Sequence, residues 1–442
     1  MKVSQIMFLG IFFMGINSIE AQDRTSFSLE EAVHMAWTKS NEVSLANTKV
    51  NTKKYELQSV KNNQYPDFKV SGQYQRLAKA SVDLKINKNS SSTTAIPTVD
   101  QLMIGQANAA LPIFGGFKIQ NSIKLQDNLY QAETANSLQT KEDVAMNVVN
   151  YYASLYKAQK TIELLKENQK KAEQRVTDFI ELEKNGIIPR NDLLKSQLQV
   201  SKIQLSLDEA NNNLNIVNYS LTTLLKLPPN TKLEVKESDF VDFTMDNVPT
   251  SEEPALQNRK DLEAIHFQEK ASQANIKMAQ SAYYPSLSLI GGYTVLDIKN
   301  VVTIQNAMNF GVGVSYDLSS ILKNGTMVKL AESKASEVQN SEEMLTDYIK
   351  IEVQKSIEDY QLALKQSNVY TQAVEQSTEN YRIIKDKYDN GLSNTNDLLE
   401  ADVEQLNATI NKALAKANIV QKYYELLSVT GQLSKTFNLS KI

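Results

Sequence analysis

Apolar and polar residues alternate with a period of two in four short segments of this chain. In 68–75 the even positions are apolar or glycine and the odd positions are polar. In 287–295 the odd positions are apolar or glycine. Segments 103–111 and 309–318 alternate in the same way. Because successive side chains of a strand point to opposite faces, each segment predicts a strand with one apolar and one polar face. We predict strands at about 65–77, 101–113, 284–297 and 302–318.

Elsewhere the apolar spacing is helical and runs without interruption for unusual lengths. Neither Gly nor Pro occurs between Gly116 and Gly186, or between Gly325 and Gly391. Each gap predicts a helix of roughly 65 residues, about 100 Å long. Each helix is predicted to turn at an Asn-Gly pair and to return as a second helix, which gives long hairpins at 116–226 and 325–430. Matching apolar stripes occur in the two long helices: Val144, Val148, Tyr152 and Leu155, and Ile349, Val353, Ile357 and Tyr360.

The second half of the chain repeats the first. The repeated landmarks are Asn185-Gly186 with Asn390-Gly391, and Tyr65-Pro66 with Tyr284-Pro285. A long internal period has to be recognised before a fold is assigned. The predicted organisation is a first repeat at 22–226, an irregular connector at 227–253 and a second repeat at 254–442. Each repeat is predicted to hold a helix, two strands and a long helical hairpin.

Composition and the first residues indicate an exported protein. Residues 1–21 combine an early Lys, a short apolar run and a small-residue site, as a secretory signal peptide does. The chain has no cysteine and a formal net charge of -4, so it has neither disulfides nor a basic surface for nucleic acid. No later segment is apolar for the roughly 18 residues that a membrane-spanning helix needs.

The alternating strands have two interpretations. An antiparallel sheet with one wet face gives this pattern in a soluble protein. A barrel whose outer face meets lipid and whose inner face meets water gives it as well. Four strands of about eleven residues cannot close a barrel, and an open sheet edge is not tolerated in lipid. The membrane interpretation therefore requires several copies of the chain.

The residue types that carry catalysis are sparse. His34 and His266 are the only histidines, and no phosphate-binding glycine loop, nucleophile elbow or zinc motif is present. We therefore expect no cofactor and no metal, and we expect that the chain is not an enzyme.

These features together resemble the outer membrane efflux protein family, the TolC-like channels. The resemblance rests on the signal peptide, the doubled strand and helix unit, the segment 111–116 (Leu-Pro-Ile-Phe-Gly-Gly) and the paired Asn-Gly turns. It implies a mixed α and β fold in which each subunit gives four strands to a trimeric transmembrane β-barrel, continued by a long α-helical periplasmic barrel. It also implies an outer-membrane location, a homotrimer, a periplasmic adaptor (membrane fusion protein) and an inner-membrane transporter.

The resemblance also implies particular site residues. The residues expected to form a periplasmic gate are Asp192, Tyr388, Asp397 and Glu400. The hairpin tips expected to dock the adaptor are Asn185, Gly186, Asn390 and Gly391. Ser393 stands where the type member of the family has a gate arginine, and Arg190 is the nearby candidate to replace it. Ordinary turn and helix-cap chemistry is the other interpretation of the acidic residues, since Asp is common at helix starts.

Two functions follow as expectations. The first is an outer-membrane export duct of a tripartite efflux or type I secretion system, which passively conducts substrates received from an inner-membrane pump. The alternative is a soluble periplasmic coiled-coil scaffold or adaptor, in which the strands form a small wet-faced sheet.

Overall fold

A computed structural model describes residues 24–78, 100–241, 245 and 248–439. The predicted signal peptide and most of the segment between the first two strands lie outside the described residues. The elements in chain order are β1 (Arg24–Phe27), α1 (Leu29–Lys39), α2 (Asn41–Asn62), β2 (Asp67–Arg76), β3 (Gln101–Gly115), α3 (Lys118–Lys184), α4 (Arg190–Leu224), β4 (Lys232–Val235), α5 (Ser238–Val241), α6 (Glu253–Asn258), α7 (Lys260–Gln280), β5 (Ser286–Ile298), β6 (Val302–Ser315), α8 (Ser320–Asp389), α9 (Thr395–Val429) and α10 (Leu433–Thr436).

Two very long helices dominate the fold. α3 has 67 residues and α8 has 70, so each is about 100 Å long. α8 begins at Ser320, five residues before the predicted start at Gly325. Each long helix is followed, after a short turn, by a return helix of 35 residues, α4 or α9. The prediction of a chain that combines long helices with an antiparallel sheet is confirmed.

The main sheet is antiparallel and has the strand order β2-β3-β5-β6. β2 pairs with β3 from Asp67 opposite Ala110 to Arg76 opposite Gln101. β3 pairs with β5 across a bulge between Pro112 and Phe114, and β5 pairs with β6 across a bulge near Thr294. Among the described residues of one chain, β2 and β6 each pair on one side only.

One face of this sheet is apolar and exposed. Val70 is 83% exposed, Met308 77% and Phe310 94%. The pairing keeps the apolar positions together, since Val70 lies opposite Ala107 and Tyr293 opposite Met308. The other face carries polar and small residues: Lys69, Ser71, Gln73, Asn108, Ser288, Gly292, Thr294, Asn309 and Gly311.

The helices form a layer with two open sides. α3 packs against α2, α4, α7 and α9, whereas α8 packs against α7 and α9. Hence α3 and α9 lie inside the layer, and α4 and α8 lie at its edges. The edge helices expose large apolar side chains: Leu194, Leu198, Leu205, Ile216 and Tyr219 on α4, and Met344, Tyr348, Ile351, Leu362 and Val369 on α8.

The connector between the halves is less irregular than predicted. β4 lies in it and pairs in parallel with β1, and α5 follows. Phe240 of α5 stacks on Tyr156 with ring centroids 4.3 Å apart, and Tyr152 Oη lies 2.7 Å from Asp239 Oδ2. These contacts place part of the connector in the largest apolar core, beside α1, α3 and α9. The sequence did not indicate this because β1 and β4 are only four residues long.

Each helix predicted to precede the strands is instead a pair of helices. α1 ends where Ser40 takes an extended conformation (φ -64°, ψ 152°) and caps α2 by accepting the N–H of Val43 at 3.2 Å. α6 and α7 are separated at Arg259, which is also extended. The Arg259 guanidinium is paired with Asp261 and with Glu352 of α8, so this break fastens α7 to the long helix.

Candidate functional site

The two hairpin tips have the same backbone geometry. The glycine of each tip has φ +71°. Ile187 N–H donates to Leu182 O at 2.9 Å in the first tip, and Leu392 N–H donates to Lys387 O at 2.8 Å in the second. This is the Schellman helix end, in which the residue after the helix is left-handed and is usually glycine. The repeated Asn-Gly pairs therefore end the long helices. The four tip residues, Asn185, Gly186, Asn390 and Gly391, are exposed.

Asp397 lies in the first turn of α9 and caps that helix. Asn394 is the N-cap, and its side chain accepts the Asp397 N–H at 3.1 Å. In return the Asp397 carboxylate lies 3.5 Å from the Asn394 N–H and accepts the Ser393 hydroxyl at 2.8 Å. This reciprocal capping box satisfies backbone donors at the helix start. Ser393, which replaces the expected arginine, therefore supports the same cap.

Asp192 occupies the same place in α4 but makes a different contact. The N-cap of α4 is Pro189, which has neither an N–H nor a side-chain acceptor, so a capping box cannot form. The Asp192 carboxylate instead accepts the hydroxyl of Thr395, the first residue of α9, at 2.8 Å. Lys195 lies 3.5 Å from its other oxygen. Asp192 thus links the two hairpins, whereas Asp397 caps the helix to which it belongs.

Tyr388 belongs to the same link. Its Oη lies 3.5 Å from Thr395 Oγ1, and its ring stacks on Phe179 of α3 with centroids 6.0 Å apart. Phe179 is buried, with 3% of its surface exposed. The structure therefore brings Asp192 and Tyr388 together through Thr395, a residue that the sequence did not single out.

Glu400 and Arg190 lie apart from this link. Glu400 is exposed on α9, one turn beyond Asp397, and has no hydrogen bond or ion pair with any other residue that the structure describes. Arg190 is 74% exposed and lies 3.6 Å from Glu183 of its own hairpin. Arg190 does not contact Asp397, so the structure gives no support to its replacing the missing arginine within one chain.

A buried ion pair farther from the tips was missed by sequence analysis. Arg175 Nη1 of α3 lies 3.0 Å from Asp402 Oδ2 of α9, and Arg175 Nη2 lies 3.4 Å from Tyr381 Oη of α8. The side chains of Arg175 and Asp402 are 11% and 4% exposed. The available signal was a charge inside an apolar stripe, since Arg175 lies between the buried Ala172 and Phe179.

The contact with Asp402 favours the charged form of Arg175. Burial disfavours the charged guanidinium, but the hydrogen bond and the negative charge of Asp402 outweigh burial and raise the pKa of Arg175. A buried charge that is paired and hydrogen-bonded is stable, whereas the same charge without its partner is costly.

Metal-binding clusters and membrane-spanning helices are both absent from the described ranges. Among these residues, no group of three or more His, Cys, Asp or Glu side chains is placed to hold a metal ion. No helix in the same part of the chain has a stretch long and apolar enough to cross a bilayer.

Comparison with known proteins identifies the family. The chain matches the outer membrane efflux protein family over residues 32–225 and 253–432. It is 22% identical over 326 residues to nodulation protein T of Rhizobium leguminosarum bv. viciae, a match covering 72% of this chain and 66% of that protein. The match thus spans just under two thirds of that relative's length.

Solved structures share the fold. The CmeC outer membrane channel of Campylobacter jejuni superposes with a TM-score of 0.77 at 16% identity, covering 100% of this chain and 97% of that one. A membrane protein from Pseudomonas aeruginosa gives a TM-score of 0.80 at 14% identity, covering 91% and 90%. The shared fold agrees with the family match, which covers most of the sequence. The chain belongs to the outer membrane efflux protein family.

Proposed function

We propose that this chain is one subunit of a trimeric outer-membrane export duct. In this proposal the duct passively conducts substrates that an inner-membrane transporter delivers through a periplasmic adaptor, and the chain itself catalyses no reaction. The observation that carries the proposal is a sheet with one exposed apolar face and two unpaired edges. A soluble protein rarely leaves so large an apolar surface in water, because burial of apolar area is the main driving force of folding.

The edges of the subunit support closure into a ring. β2 and β6 end the sheet, and α4 and α8 end the helical layer, with apolar stripes on both helices. Contacts between unlike edges of identical subunits form closed rings when the rotation closes. Three copies would supply twelve strands, and closure would satisfy the edge N–H and C=O groups that lipid cannot.

The tips supply candidates for a gate and for docking. We propose Asp192, Tyr388, Asp397 and Glu400 as gate residues, with Asp192 and Tyr388 acting through their contact with Thr395. In a trimer, Glu400 would form an acidic ring, and acidic rings favour cations. We propose the exposed tips at 185–187 and 390–392 as the adaptor-docking surface, since Ile187 and Leu392 are 67% and 78% exposed.

Fractionation and conductance test the duct. The protein should be recovered in outer membranes, be released only by detergent, and conduct ions when the purified trimer is added to a planar bilayer. The scaffold alternative predicts release by osmotic shock and no conductance. A water-soluble monomer without conductance would contradict the duct.

The acidic ring has its own test. Because Asp397 also caps α9, Glu400→Ala separates the ring from the cap, and it should weaken block of the conductance by divalent cations. Glu209→Ala, an equal charge change at an exposed site on α4 away from the tip, is the matched control. Unchanged block in Glu400→Ala, equal to that of Glu209→Ala, would remove Glu400 from the gate.

A further inference from the structure

The face of the main sheet that carries Lys69 changes character along the strands. In the proposed duct this inner face meets the lumen, because the opposite face is apolar and exposed. Residues that lie opposite each other in an antiparallel sheet share a face. One row across the inner face consists of Lys69, Asn108, Gly292 and Asn309, which pair in that order. This row is polar and carries one positive charge.

The side chains of the polar row lie close together because position 292 is glycine. A Cβ at Gly292 would lie 2.7 Å from Asn309 Oδ1 and 3.0 Å from Asn108 Oδ1, so a side chain there would have to displace them. The two carboxamides thus extend over Gly292 from both sides. Lys69 is exposed and has no ion pair with any other residue that the structure describes. The row therefore offers an ammonium and two carboxamides, which are hydrogen-bond donors suited to an anion.

Toward the turn between β5 and β6, the same face becomes aliphatic. β3 and β5 pair without a shift between Leu102 and Leu111, so the polar row and the rows beyond it lie on one face. Asn108 and Ile104 are four residues apart on β3, which is about 13 Å. On the opposite face at this level, Thr303 Oγ1 donates to Asp297 Oδ1 at 2.6 Å. Two successive rows of the inner face form what we call the collar: Ile104, Leu296 and Ile304, then Leu102, Ile298 and Val302.

The collar is unusual for the lumen of a barrel. The interior of an outer-membrane barrel is normally polar, and aliphatic area in contact with water is unfavourable. Within one chain, Ile304 and Val302 are 41% and 39% exposed. A trimer would place the collars of three subunits around one end of the barrel, with three Lys69 ammonium groups one level below. A solute with an apolar body would cover the collar, and the charge of Lys69 favours a negative group at its other end.

We propose that this end of the barrel binds amphipathic anions on their way out. The anionic group is held by Lys69, Asn108 and Asn309, and the apolar body lies against the collar. This inference rests on the proposed export duct and deepens it, because it names a class of substrate. A cation with the same apolar body would be repelled by Lys69, and a small anion would gain nothing from the collar.

Block of the ion current by three small probes tests the inference. Decane-1-sulfonate has an anionic group and an apolar chain, decyltrimethylammonium has the same chain with a positive charge, and methanesulfonate is an anion without the chain. Each probe is added below its micelle concentration to trimers in a planar bilayer. Decane-1-sulfonate should halve the current at a concentration severalfold below that of either other probe.

Lys69→Gln tests the anionic end of the site. It removes the charge from an exposed side chain, so the half-blocking concentration of decane-1-sulfonate should rise severalfold, while that of decyltrimethylammonium should not rise. The matched control is Lys232→Gln, the same change at an exposed position of β4, outside the main sheet. This control should be blocked as the unchanged protein is.

Threonine substitutions test the collar. Ile104→Thr with Leu296→Thr should raise the half-blocking concentrations of both probes that carry the ten-carbon chain, because each loses apolar contact. The matched control is Val70→Thr with Val312→Thr on the opposite face, where these valines are 83% and 60% exposed. If the collar variant does not assemble, Lys69→Gln decides the inference alone.

The outcomes separate this inference from the duct itself. Equal block by decane-1-sulfonate and decyltrimethylammonium, or a Lys69→Gln protein that is blocked as the unchanged protein is, would overturn the inference while leaving the duct intact. Absence of block by all three probes would mean that another part of the duct covers the collar, and it would overturn the inference as well. If no form of the purified protein conducts, the proposed duct fails and the inference fails with it.

Discussion

The return helices α4 and α9 have the same length and related sequences, yet they occupy different environments. Tyr219 on α4 is 60% exposed, whereas its counterpart Tyr424, 205 positions later, is 7% exposed and stacks on Phe437. Leu205 is exposed and its counterpart Ile410 is partly buried. α9 lies between α3 and α8, whereas α4 packs mainly against α3. An apolar stripe on an edge helix therefore identifies a surface that another copy is expected to cover.

The largest expected effect distinguishes the two tyrosines. Tyr424→Ala should lower the free energy of unfolding of the subunit by about 3–5 kcal/mol, because it leaves a cavity against Phe437. In the dissociated subunit, Tyr219→Ala should change the free energy of unfolding by less than about 0.5 kcal/mol, as exposed sites do. Thermal unfolding followed by circular dichroism measures both. Equal losses would mean that α4 is as central to the subunit as α9.

The edge stripe is expected to control assembly. Leu198→Asp with Leu205→Asp places two charges on the exposed stripe of α4, which should prevent burial against another copy and leave folded monomers. Light scattering on the detergent-extracted protein measures the subunit number, and circular dichroism should show unchanged helix content. The control is Glu209→Asp on the same helix. A double variant that remains a trimer would show that this stripe is not an assembly surface.

A smaller effect tests the different contacts at the starts of α4 and α9. Asn394→Ala removes the cap of α9 and should cost about 1 kcal/mol of stability. Asp192→Asn weakens the bond to Thr395 but removes no cap, so its effect should depend on Thr395 being present. A double-mutant cycle with Thr395→Val measures this coupling. Coupling of Asn394, and not of Asp192, to Thr395 would reverse the roles assigned here.

The smallest effect concerns the segment after α9. Burial raises the pKa of Glu142, although the hydroxyl of Ser434 in α10 donates to its carboxylate at 2.7 Å. The native state therefore binds this proton more tightly than the unfolded chain, so the contribution of Glu142 to stability is highest at acid pH and declines as pH rises through its raised pKa. Glu142→Gln should raise the melting temperature slightly at pH 8 and not at pH 4. A gain at both pH values would exclude titration as the cause.

The strands and long helices were predictable because their signals are local and extended. Period-two alternation predicted the ends of the strands to within a few residues, and the absence of Gly and Pro predicted the long helices. The start of α1 carries a local signal of the same kind, since Ser28 caps this helix and accepts the Glu31 N–H. The internal repeat and its boundaries remain a prediction from the sequence.

The inter-hairpin contacts were not predictable from local patterns. Arg175 and Asp402 are 227 positions apart, and their pairing depends on the relative register of two helices. The different roles of Asp192 and Asp397 depend on a single neighbouring residue, Pro189 or Asn394, and on which helix lies opposite. Resemblance to the family named residues near the hairpin tips, but the partners of each side chain had to come from the structure.

The number of subunits in the detergent-extracted protein tests the central claim most directly. In the proposed duct each chain supplies a third of the barrel wall, so it must associate before its sheet can lie in lipid. Native mass spectrometry should give three times the subunit mass for protein taken from outer membranes. A single subunit of monomer mass, with its sheet stable in aqueous buffer, would contradict the account.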